Sequence, residues 1–83
     1  MKTIKFKGKS ELIDTNGEYT YLVVKSYTDK VVTPLINFIF MDGEDDAEPI
    51  DLNFRYEVLY TISIFFETSP EDECTITYEL LQS

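Results

Sequence analysis

No histidine occurs in this 83-residue chain, and cysteine occurs once, at Cys74. Those two scarcities remove most side-chain catalysis. A Ser/His/Asp or Cys/His constellation needs an imidazole to take up and return a proton. A conventional zinc centre needs Cys and His ligands. One cysteine closes no internal disulfide, so no disulfide framework holds the fold; on an alternating apolar strand Cys74 reads as a core thiol. The three glycines form no phosphate-binding loop, and Asn16-Gly17 and Asp42-Gly43 are turn signals. No apolar run reaches the roughly 18–20 residues of a membrane helix. Lys2, Lys5, Lys7 and Lys9 have no apolar stretch behind them, so the opening residues do not read as a secretory leader. Carboxylates are plentiful, but a glycosidase pair needs a cleft around it, which a chain this short rarely builds. The expectation is a non-enzymatic cytoplasmic protein (host cytoplasm if phage-encoded) that needs neither cofactor nor metal.

What the chain does have is negative charge and aromatic rings. The net charge is −9, unevenly spread. Residues 1–30 carry six lysines against four carboxylates, whereas residues 31–83 carry Arg55 alone against twelve. That second half repels nucleic acid and anionic membranes and attracts basic surfaces. Six Phe and six Tyr are present. Each buried ring removes about 150–250 Å² from water, so a few form most of a small core and others are left for the surface.

Period-two alternation dominates, the mark of half-buried strands. In the first strand Ile4 and Phe6 face one way and Thr3, Lys5, Lys7 and Lys9 the other; a bulge near Gly8–Ser10 accounts for a change of phase before Leu12-Ile13. Asn16-Gly17 suits a type I′ turn, pairing Leu12–Thr15 with Glu18–Tyr21. A strand over Glu18–Tyr27 follows, then a turn at Thr28-Asp29-Lys30. "VVTPLINFIFM" is apolar on both faces, which implies a central strand covered by a second layer or a partner. Ile50–Phe66 alternates without a break for seventeen residues. Laid straight it would reach roughly 56 Å, against a globule roughly 30 Å across, given a radius of gyration of about 12 Å. It therefore reads as two segments, Ile50–Phe54 and Glu57–Glu67, bent near Asn53–Glu57, with Phe54, Val58, Ile62, Ile64 and Phe66 in the core. Ser69-Pro70 resembles a helix start, allowing one helical turn near 70–73, before a last strand from Cys74. The fold expected is a single all-β domain over 1–83: a small antiparallel β-sandwich or partly open barrel of six to seven strands.

The run Asp42–Pro49 reads as a polar loop. Asp42, Glu44, Asp46 and Glu48 alternate as calcium ligands can, yet Ala47 stands where an EF-hand has Gly and Asn53 where it has Glu, and no helices flank it. A solvated loop or a contact for a cationic partner fits better. The candidate partner-binding residues are Asp42, Glu44, Asp45, Asp46 and Glu48, with Tyr56 and Tyr60 as conceivable aromatic anchors whose phase suits the core. Two function classes lead. One is a protein-binding module for a partner with a basic surface, in its sharpest form a phage-type inhibitor that imitates nucleic acid in the basic cleft of a nuclease, restriction or CRISPR effector. The other is an assembly subunit, a virion or tail component or homo-oligomer, drawn together by a basic first strand and an acidic second half. A carbohydrate-binding sandwich using its tyrosines is a third. Neither direct nucleic-acid binding nor membrane binding is expected.

Overall fold

The structure, a computed structural model, describes residues 1–28 and 33–82. Two four-stranded antiparallel sheets pack face to face, and the described residues contain no helix. The strands are β1 (Lys2–Lys7), β2 (Ile13–Asp14), β3 (Tyr21–Tyr27), β4 (Leu35–Phe40), β5 (Asp45–Pro49), β6 (Tyr56–Glu57), β7 (Thr61–Glu67) and β8 (Glu73–Leu81). One sheet has the order β1-β8-β3-β6 and the other β2-β7-β4-β5. The sandwich is open, and its eight strands exceed the six to seven expected because Asp45–Pro49, read as loop, is a strand and the two-residue β6 is a further one. The turn expected at Thr28-Asp29-Lys30 falls partly outside the described residues.

Side chains that alternate inward from both sheets fill the space between them. Leu22, Val24, Tyr56, Cys74, Ile76 and Tyr78 come from the first sheet, and Ile36, Phe38, Ile64 and Phe66 from the second. Rings bridge the layers: Phe66 meets Tyr78 at 5.7 Å and Phe38 meets Tyr56 at 5.8 Å between centroids. Cys74 is fully buried opposite Phe6 in the β1–β8 ladder. β4 is an interior strand whose inner face (Ile36, Phe38) is buried. Its outer face, with Leu35, Asn37 and Ile39, stays half-buried. The first sheet thus covers one side of that two-sided apolar strand.

Several connections change sheets instead of making hairpins. At Gly8, with φ +76°, the chain leaves β1 and crosses to the second sheet, where Lys9 bridges Glu67 and Ser10 N–H donates to the Phe66 carbonyl at 2.9 Å. Asn16 and Gly17 both have positive φ, 46° and 70°, as a type I′ turn requires, and Glu18 N–H closes it onto the Thr15 carbonyl at 2.8 Å. The flanking segments nevertheless do not pair: β2 joins β7 and β3 joins β8 and β6. The turn donates outward to a third strand, from Thr15 and Asn16 N–H to Ile62 and from Gly17 N–H to Thr61. Behind it, Thr15 and Thr61 are fully buried. The Thr61 hydroxyl donates to the Val58 carbonyl at 2.7 Å, which leaves the Thr15 hydroxyl to donate to Thr61, 2.9 Å from its carbonyl and 2.6 Å from its Oγ1.

Ile50–Phe66 turns two corners rather than one, consistent with a body measuring 31 × 24 × 17 Å. It leaves β5 in the second sheet, crosses through 50–55 to β6 in the first, and returns through 58–60 to β7. The first corner is pinned by Ile50 N–H to the Pro34 carbonyl (3.0 Å) and Asn53 N–H to the Val24 carbonyl (2.9 Å), with Asn53 at φ +64°. Residues 50–54 are therefore not a strand. Inward phase is kept at Ile50 and Val58 but lost elsewhere along the corners. Phe54, Leu52, Tyr60 and Ile62 are exposed, the last at a register shift in the β4–β7 ladder, so Phe54 and Ile62 do not belong to the core. Val58, Ile64 and Phe66 do. Ser69–Asp72 is a turn closed by Asp72 N–H on the Ser69 carbonyl at 3.0 Å, with no helical turn.

An acidic, aromatic cleft at one open edge

The run from Asp42 to Pro49 is a β-hairpin arm, not a loop. Phe40 N–H donates to the Glu44 carbonyl (2.8 Å) and Gly43 N–H to the Phe40 carbonyl (3.0 Å), with Gly43 at φ +91°. The Asp42 carboxylate accepts the Glu44 N–H at 2.9 Å, an Asx turn that sets the tip. From Asp45 the chain pairs with β4: Ile39 opposes Asp45, Phe38 opposes Asp46, and Ile36 opposes Glu48.

That register divides the five candidate carboxylates. Asp42 and Glu44 sit at the exposed tip, and Asp45 shares the outer face with Ile39. Asp46 and Glu48 share the inner face with buried Phe38 and Ile36, so an edge strand turns two carboxylates toward the open side of the sandwich. Asp46 and Glu48 stand about 6.6 Å apart along the strand, and Asp45 points away from both. This dispersal is the physical reason why no three acidic, His or Cys side chains among the described residues converge on a metal position.

Beneath the inward pair lies a cleft of about 400 Å³, lined by Phe38, Phe40, Phe54, Tyr56, Asp46, Glu48, Arg55 and Glu57. Its rings form a continuous series. Phe40 stacks on Phe38 (6.2 Å, 22°), Phe38 leans on Tyr56 (5.8 Å), and Phe54 meets Tyr56 edge-on (4.9 Å, 61°). Phe54 is 53 % exposed and Tyr56 only 3 %. The Tyr56 hydroxyl accepts the Asp51 N–H at 2.6 Å and donates to the Pro49 carbonyl at 3.3 Å, tying the first corner to the end of β5. Burial raises the Tyr56 phenol above its usual range, and the negative charges of Glu48 and Asp51 push the same way, against the Asp51 N–H bond. Arg55 and Glu57 form the lip. Glu57 pairs with Tyr21, one residue out of phase with the inward Leu22–Tyr56 pair, and the Arg55 guanidinium lies over the Tyr21 ring at 5.6 Å. The chain's single arginine is thereby drawn toward the outside of the first sheet.

Of the two tyrosines considered as anchors, Tyr56 is core and Tyr60 is 71 % exposed. Tyr60 lines a second hollow with Phe40, Met41, Asp42 and Glu44, so Phe40 borders both depressions. Phe38, Phe40 and Phe54 were not among the candidate partner-binding residues; spacing had placed Phe54 in the core. Asp42-Gly43 between an apolar strand and an alternating acidic run was the signal that would have placed Asp46 and Glu48 beside them.

The opposite edge, at β1, has the other sign, though its lysines do not form one comb. Lys5 pairs with Glu73 at 3.2 Å, and Lys9, beyond the Gly8 corner, stands 5.9 Å over the Phe65 ring. Neither a family model, a curated protein nor a solved structure matches the chain.

Proposed function

We propose that this chain is a non-enzymatic protein-binding module that meets a basic partner through the β5–β6 edge of its sandwich. One observation carries this: at that edge Asp46 and Glu48 face a cleft into which Phe54 is exposed and Phe40 half-buried, above the buried rings of Phe38 and Tyr56, with more carboxylates at the adjoining hairpin tip. Carboxylates steer a cationic surface to the edge from a distance, and the exposed rings Phe54 and Tyr60 anchor it on contact. A basic nucleic-acid-binding cleft is the partner surface such an edge suits best. The chain then acts as a competitor of nucleic acid, and it binds neither nucleic acid nor membrane itself.

The test is capture from an extract of the native host with the wild-type chain and with Asp46→Asn/Glu48→Gln/Glu57→Gln. The expected result is a basic protein retained at about 50 mM salt, released as screening shortens the reach of charge to a few ångströms near 1 M, and not retained by the triple variant. Nucleic acid added to the extract should displace it. Equal retention by both chains at all salt concentrations would remove the proposal.

A second reading is self-assembly. Its support is the charge difference between the β1 and β5–β6 edges, together with the half-buried outer face of β4 (Leu35, Ile39) and neighbouring Phe65. Sedimentation across a wide concentration range separates the two, since a strict monomer rules assembly out.

A further inference from the structure

We infer that the cleft between β5 and β6 is a receptor for a single arginine side chain of the partner; this rests on the proposed module and names the group it would read. Half-buried Phe40 and exposed Phe54, braced from below by buried Phe38 and Tyr56, offer aromatic surface in the cleft to a planar cation, which is attracted to ring faces within about 6 Å. Asp46 and Glu48 stand over that surface from the adjoining strand, placed to accept the guanidinium N–H groups. Among the described residues neither carboxylate is in an ion pair with the chain's own cations; Asp46 accepts only its neighbour's N–H, from Ala47 at 2.9 Å. The cation that lines the cleft, Arg55, lies over the Tyr21 ring.

Arginine fits better than lysine for a geometric reason. Its guanidinium is flat, weakly hydrated and forked, so it can stack on a ring while its edge reaches a carboxylate. A lysine ammonium is compact and strongly hydrated, and gains little from a flat aromatic floor. A cleft of about 400 Å³ admits one such side chain and not a folded segment. Inward charges on an edge strand also discourage strand-to-strand aggregation. That role requires no exposed ring in the cleft beside them, and Phe54, 53 % exposed, distinguishes the two.

The probe is the tripeptide acetyl-Gly-Arg-Gly-amide, titrated into the labelled protein and followed by NMR of the aromatic side chains. Lysine and citrulline counterparts serve as comparisons; citrulline keeps the shape and removes the charge. Expected are saturable shifts at Phe38, Phe40 and Phe54 with the arginine peptide, about tenfold weaker binding of the lysine peptide, and no response to citrulline. Asp46→Asn/Glu48→Gln and, separately, Phe54→Ala should each weaken the arginine peptide about tenfold or more. Phe54 is half-exposed, so its variant keeps the fold, which the amide spectrum verifies. Equal shifts from arginine and citrulline peptides, shifts confined to the β1 edge, or an unchanged double variant would overturn the inference. If Phe54→Ala is silent here while host capture remains dependent on salt and on the carboxylates, the arginine receptor falls and the broader module stands.

Discussion

Replacing Tyr56 by Phe removes one oxygen from the floor of the cleft and tests whether that oxygen holds the first corner in place. Two hydrogen bonds are lost. The bond from Asp51 N–H is short at 2.6 Å, and the one to the Pro49 carbonyl is long at 3.3 Å, so the first dominates. The net worth of a hydrogen bond is about 0.5–1.5 kcal/mol, and a donor left unpaired costs about 1–3 kcal/mol. Asp51 is itself exposed, so water reaches part of the vacated site and the low end applies. The expected loss is about 1–2 kcal/mol, which for a domain of this size lowers the melting temperature by about 5–15 °C. Calorimetry at neutral pH measures it. The same variant has an alkaline signature. The unfolded chain releases a tyrosine proton near pH 10.0, while the folded chain holds that of Tyr56 to higher pH, chiefly because burial disfavours the phenolate. Above that point the folded state binds more protons than the unfolded one. The associated stability is complete below pH 10 and is lost as pH rises through the folded value. Tyr78, raised mainly by burial and then by Tyr19, adds to the same limb. The wild-type chain should therefore lose stability in strong alkali more steeply than Tyr56→Phe. A melting temperature within about 1 °C of wild type, with an unchanged alkaline limb, would refute the role of the hydroxyl.

Other perturbations test the corners and the surface. Thr61→Val keeps the shape but leaves the buried Thr15 hydroxyl and Val58 carbonyl without Thr61 Oγ1; a loss of about 1–3 kcal/mol by urea unfolding is expected, and a neutral result would deny the network any weight. Gly17→Ala places a Cβ at φ +70°, 2.5 Å from Met41 Cε and 3.3 Å from the Leu59 carbonyl. The left-handed conformation alone costs about 1–2 kcal/mol, so thermal unfolding should shift downward, whereas Gly43→Ala, with open space around it, should bear only the conformational part. Phe66→Ala, which empties a fully buried position between the sheets, should cost about 3–5 kcal/mol and, by circular dichroism, leave little folded chain at 37 °C.

How far the sequence disclosed this arrangement depends on the distance over which each signal acts. Strand character was legible because alternation is local: Ile4 and Phe6, Ile36 and Phe38, Ile64 and Phe66, Cys74 and Ile76 all turn inward as their spacing implies. The Asn16-Gly17 turn was legible for the same reason, since backbone freedom at two residues sets it. Pairing was not, because a type I′ turn can also join strands of different sheets when its outward N–H groups find a third strand, as they do on Thr61 and Ile62. Alternation also survives corners on paper while side chains lose phase in space, which is why Phe54 and Ile62 stand outside the core they matched by spacing. The acidic residues were visible as a group, but composition made Asp45–Pro49 look like a loop. Edge strands carry inward charges, and Pro is tolerated where no ladder partner waits; β5 combines both. The aromatic floor needed the fold itself, since Phe38, Phe54 and Tyr56 meet only after the chain has crossed between sheets.

The most direct measurement places a photo-crosslinking amino acid at Phe54 in the acidic cleft and, in a separate protein, at Thr3 on the opposite edge, and exposes each in native-host extract. A basic protein joined through position 54, absent from position 3 and lost when Asp46 and Glu48 are neutralised, is the predicted result. Crosslinks that form from position 3 alone, or only between copies of the chain, would contradict the assignment of this edge as the surface that meets a partner.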